Sequence, residues 1–158
     1  MRFQALIIAM MLVSACSRSP SEGLDVPSVT AENEVPPIPD LDLALVTRGA
    51  ELYAENCVVC HQADLSGDPD WKTPAKDGGF RPPPHDSTGH TWHHADDVLA
   101  AIVLTGYDFP VPESRMPQFA GTLTEDDVRA ILEFIKTSWG PDERAYQWEQ
   151  TVRDGASS

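Results

Sequence analysis

The strongest apolar period in the chain lies in LTEDDVRAILEFIKTSWGP, residues 123–141. There Val128, Ile131, Leu132 and Ile135 recur at helical spacing and form one core-facing stripe. Thr124 is placed to cap this helix, Glu125, Asp126 and Asp127 favour the positive end of its dipole, and Gly140-Pro141 is the expected stop. A second helix is predicted from about Leu43 to Cys57 in LALVTRGAELYAENC, with Leu45, Gly49, Leu52 and Tyr53 on one face. A glycine in mid-helix costs about 1 kcal/mol against alanine, and a close helix crossing at Gly49 would justify it. HADDVLAAIVLTG predicts a middle helix from about Ala95 to Thr105, with acidic residues in its first turn and Gly106 at its C-terminal cap. Residues 66–91 are rich in proline and glycine and read as loop. No segment alternates as a strand would, and no internal repeat is present. The pattern predicts a small all-α domain with long loops.

Upstream of the first helix the pattern changes twice. MRFQALIIAMMLVSACSRS has a basic start at Arg2, an apolar run from Ala5 to Val13, and small residues before Cys16. The run is too short to anchor in a bilayer and reads as an export signal, residues 1–15. Its end, LVSAC, resembles the lipobox of bacterial lipoproteins, which implies cleavage before Cys16 and a diacylglyceryl group on its sulfur. Ordinary cleavage near Ala15 would instead leave Cys16 as a free thiol. Residues 16–40 are rich in Pro, Ser and acidic side chains without an apolar period, so they predict a flexible tether. The domain proper is then 41–140, followed by an extension, 141–158, in which Tyr146 and Trp148 predict a short helix packed back onto the domain. A docking role for this pair is the alternative.

ENCVVCHQAD, residues 55–64, carries the candidate chemistry. The chain has only three cysteines, too few for a disulfide framework. A structural zinc site would need a second ligand pair at ordinary spacing, and none follows. A thioredoxin-like pair would want alternating strands and helices around it, and the flanks here are helix and loop. The remaining reading is covalent haem. In CxxCH the two thiols reach the porphyrin vinyl groups as thioethers, and the adjacent histidine is positioned to ligate the iron. Cys57, Cys60 and His61 fill these roles, and one covalent haem c is the expected cofactor.

Iron still has a sixth position. Met1, Met10 and Met11 lie in the export signal, which leaves Met116 as the only methionine of the mature chain. It sits in SRMPQF, a loop ahead of the last helix, where Pro117 pushes its backbone toward an extended conformation. The alternative for Met116 is a core filler, as isolated methionines often are. As a ligand, its thioether would stabilise reduced iron and block access by oxygen or peroxide. Two protein ligands would favour outer-sphere electron transfer.

With CxxCH at Cys57–His61, a glycine and an aromatic in the first helix, and MPQF ahead of a C-terminal helix, the stretch from about Leu43 to Trp139 resembles class I cytochromes c. The resemblance implies a helical domain wrapped around one haem, with the first and last helices crossing closely. Gly49 and Tyr53 match the small and aromatic positions of the first helix, and Ile131 and Phe134 the apolar and aromatic positions of the last. It implies haem attachment outside the cytoplasmic membrane, in keeping with the export signal, and a single-electron carrier rather than an enzyme. It also implies a proline carbonyl accepting the hydrogen bond of the ligating histidine, a role offered by Pro69 in GDPDW with Pro74 as its competitor.

One long loop departs from a minimal member of that family: KDGGFRPPPHDSTGHTWHHADD, residues 76–97, holds His85, His90, His93, His94 and Trp92. These histidines are read as polar loop residues that hydrogen-bond haem propionates, with Trp92 packed on the haem edge. The alternatives are a copper or other transition-metal site, or a second axial imidazole. The formal net charge of −14 disfavours nucleic acid and anionic lipid and reads as general solubility, with steering toward basic docking faces on redox partner proteins as the alternative. The expectation is an electron carrier lipid-anchored at a membrane of the bacterial cell envelope and facing the periplasm. Its rivals are a metal-handling haem protein using His85–His94 and a small haem enzyme or sensor with an open sixth position.

Overall fold

Five helices form among the described residues, which run 35–76, 78–106 and 115–156 in the computed structural model. They are α1 (Leu43–Asn56), α2 (Val58–His61), α3 (Asp96–Thr105), α4 (Glu125–Lys136) and α5 (Pro141–Gly155), with a 3-10 turn at Thr91–His93 and no strand. The export signal, Cys16 and most of the tether lie outside the described residues.

Local chemistry sets the helix ends. The Asp42 carboxylate accepts from the amides of Ala44 and Leu45 and opens α1. Thr124 accepts from the Asp127 amide while the Asp127 side chain accepts from Thr124, so two orphan donors of α4 are satisfied reciprocally. Gly106, at φ 67°, closes α3. Helix α4 ends at Lys136 rather than at Gly140-Pro141. There the hydroxyls of Thr137 and Ser138 donate to the carbonyls of Phe134 and Ile135, at 2.6 and 2.7 Å, and take up the last helical acceptors.

The core lies where α1 crosses α4. Val128, Ile131, Leu132 and Ile135 are all buried, and Tyr53 faces them from α1. At the crossing, a Cβ on Gly49 would lie 1.9 Å from the Ala130 carbonyl oxygen, so backbone touches backbone. Beside it the Tyr53 and Phe134 rings meet at 5.3 Å, and Arg48 pairs with Asp127.

Helix α5 is built into the same body. Gln147, only 2% exposed, donates to the carbonyl of His94 and to Asp96 Oδ1 at 3.3 and 2.8 Å. It thereby ties the histidine-bearing loop and the start of α3 to the extension. The end of the expected tether is tied down as well: the carbonyls of Pro36 and Pro39 accept from Trp148 Nε1 at 2.7 Å and from Arg144 at 2.8 Å.

Candidate haem site

The CxxCH segment sits at the junction of α1 and α2. Cys57 closes one helix and opens the next, and its carbonyl accepts from the amides of both Cys60 and His61. Both cysteines are free thiols, Cys60 exposed and Cys57 half-buried. Burial, with Cys60 adding, pushes the Cys57 thiol up to about 11. Val59 between them is 85% exposed, so the outer edge of the motif lies at the surface.

His61 points inward and is buried. Its Nδ1 lies 2.9 Å from the carbonyl oxygen of Pro83. A carbonyl only accepts, so Nδ1 carries the proton and Nε2 keeps its lone pair. Burial lowers the pKa of His61, with the Pro83 bond acting against it, which further favours the neutral, ligating form.

The acceptor is thus Pro83, neither Pro69 nor Pro74. The chain after the motif turns back through Gln62 and Leu65, both at positive φ, and pairs with the proline run. Asp68 donates its amide to the Pro82 carbonyl and His85 donates its amide to the Leu65 carbonyl, each at 2.8 Å, so Pro83 is held between two backbone bonds. Gly67, at φ 62°, permits this approach, because a Cβ there would come within 2.6 Å of the Pro83 carbonyl oxygen. Pro69 lies outside the pairing and is exposed. The signal available in sequence was the run Pro82-Pro83-Pro84: prolines lack N–H donors, which leaves their carbonyls to other partners.

His85 parts from the other three loop histidines, which stay near one another. The His85 ring stacks on His61, with centroids 3.9 Å apart and planes 19° from parallel. Burial, with His61 and His90 nearby, drives its pKa down to about 3, so it is neutral. His90 stacks on Trp71 at 5.3 Å and meets His94 edge-on, while His93 lies against Trp92 at 3.8 Å. Among the described residues no group of three or more His, Cys, Asp or Glu side chains is placed to hold a metal ion. Met116 is half-buried in the stretch leading to Phe119, whose amide donates to the Val103 carbonyl at the end of α3.

The cytochrome c family model matches residues 46–139, from α1 through the turn after α4. The chain belongs to the cytochrome c family. No solved structure matches it. As a cytochrome c it binds one covalent haem c and serves haem-based electron transfer with redox partner proteins.

The residues present fit that group. Among the described residues, Arg81 Nε and Trp92 Nε1 are buried donors without a hydrogen-bond partner. Leaving such a donor unsatisfied costs about 1–3 kcal/mol, so each marks a place where an acceptor belongs, and a haem propionate is an acceptor of the required kind. Trp92 was singled out in the sequence as a candidate for the haem edge. Arg81, Pro83, the hydroxyl of Tyr53 and Gln147 were not, because their places are set by contacts distant in sequence.

Proposed function

We propose that this cytochrome c is a class I, His/Met-ligated single-electron carrier, lipid-anchored through Cys16 and facing the periplasm of a bacterial cell. The observation that carries the reading is the His61–Pro83 bond, which fixes the tautomer with Nε2 free to bind metal beside two thiols at thioether spacing. Haem c supplies a reversible one-electron iron couple. Cys57 and Cys60 would hold the porphyrin, His61 and Met116 would fill the axial positions, and Arg81 and Trp92 would donate to the propionates. The exposed edge at Val59 and Cys60 would give a partner a short approach.

Acidic composition favours partners with basic docking faces. Among the described residues no helix is long and apolar enough to cross a membrane, and attachment in this reading rests on Cys16. The tether would confine the domain to a layer near its membrane and raise the local concentration of membrane partners.

Carbon monoxide tests the carrier assignment. The reduced protein should react slowly because Met116 holds the sixth position, whereas rapid binding would return the protein to the sensor or enzyme class. For the anchor, the mature protein should carry the mass of a diacylglyceryl group, and Cys16→Ser should release it to the soluble fraction. A Cys16→Ser protein that stays membrane-bound would sink the lipid assignment.

A further inference from the structure

A hydrogen bond at Nδ1 fixes one point of the His61 ring but leaves it free to swing about the N–H···O direction. Something else must set the plane of the ring, and the structure supplies it. His85 lies on the ring face of His61 at 3.9 Å and 19°, so a swing in either sense would drive a ring edge into it. His85 is itself fastened on several sides. Its amide donates to Leu65, its carbonyl accepts from Trp139 Nε1 at 2.8 Å and from Ser138 Oγ at 3.2 Å, and its Nδ1 lies 3.3 Å from the Tyr53 hydroxyl. The Tyr53 ring packs edge-on to it at 5.8 Å and is itself 1% exposed. A polar, hydrogen-bonding side chain is thus held against the face of the proposed axial ligand by α1, by the turn after α4 and by the Leu65 backbone.

We propose that His85 is a positioning residue for His61: its stacked ring, braced by Tyr53 and Trp139, fixes the plane in which the His61 imidazole presents Nε2 to the haem iron. The inference rests on His61 being the axial ligand. The orientation of an axial imidazole plane governs its overlap with the iron d orbitals, and partners of the ligand often matter nearly as much as the ligand itself. The flat face of His85 acts here, rather than its bulk alone.

Paramagnetic NMR of the ferric, haem-loaded protein reads this directly, because the spread of haem-methyl shifts reports the ligand plane. Three variants separate the contributions: His85→Leu keeps bulk without a flat face, His85→Phe keeps the face without the nitrogens, and Tyr53→Phe removes the hydroxyl that faces His85 Nδ1 and the carbonyls of His61 and Gln62. The expected result is a reordered methyl pattern in His85→Leu, and a wild-type order with broadened or partly shifted methyls in both His85→Phe and Tyr53→Phe, because each breaks the Tyr53–His85 bond. An unchanged pattern in His85→Leu overturns the proposal. So does a His85→Phe protein as altered as His85→Leu, and this comparison with wild type still decides if His85→Leu does not fold. Strongly shifted His61 ring resonances in the wild type are the control: their absence would remove His61 as ligand, whereas their presence with an unchanged methyl pattern would remove only the role of His85.

Discussion

Replacing Gly49 with alanine tests the helix crossing that frames the haem site. The added Cβ would sit 1.9 Å from the Ala130 carbonyl oxygen and 2.5 Å from its carbon, both backbone atoms that no rotamer change can move. Reaching the 3.4 Å of ordinary contact requires α1 and α4 to part by about 1.5 Å. Gaps of 0.5–1 Å already forfeit roughly a quarter to a half of the dispersion well. Here the gap would open beneath Tyr53, Ile131 and the Tyr53–Phe134 ring pair. Overpacking of this kind costs about 1–3 kcal/mol or somewhat more, against about 1 kcal/mol gained in helix propensity. The net expectation is destabilisation by up to about 2 kcal/mol in guanidinium unfolding of the haem-loaded protein, followed by far-UV circular dichroism. Gly155→Ala is the control, because a Cβ there meets none of the described residues within 4 Å, and it should be neutral or stabilising by up to about 1 kcal/mol. If Gly49→Ala proved as stable as the wild type, the close crossing would be wrong.

Two further changes probe the parts that hold the loops. Gln147→Leu keeps the volume of a buried side chain but strands the acceptors at His94 and Asp96, so thermal unfolding should show a loss of about 1–3 kcal/mol; unchanged stability would mean that α5 does not brace the histidine loop. Asp127 is held below its ordinary value of 3.8, chiefly by the Thr124 hydroxyl and amide and also by Arg48. A carboxylate depressed in the folded state contributes stability that is present above the unfolded value and lost as pH falls through the folded one. Asp127→Asn should therefore flatten the acid side of the stability curve below about pH 4, and a parallel curve would refute the cap.

The helices were legible because their cause is local. Apolar spacing, Thr124, the acidic first turns and Gly106 act over a few residues, and the observed α1, α3 and α4 start within a residue of expectation. The end of α4 was misjudged because side-chain hydroxyls at Thr137 and Ser138 close it before the glycine and proline do. At the candidate site, spacing alone singles out Cys57, Cys60 and His61, whereas the choice of Pro83 over Pro69 depends on the Asp68–Pro82 and Leu65–His85 pairings. No local pattern encodes these pairings. Nor does irregular histidine spacing say that His85 goes to His61 while His90 goes to Trp71.

The most direct test of the ligand set is the optical spectrum of the purified ferric protein at long wavelength. His61/Met116 ligation predicts the weak band that a methionine thioether gives ferric haem, with its loss in Met116→Ala while the haem stays covalently attached. A wild-type spectrum without that band, bis-histidine or high-spin in character, would contradict the account and return the sixth position to the loop histidines or to an open site.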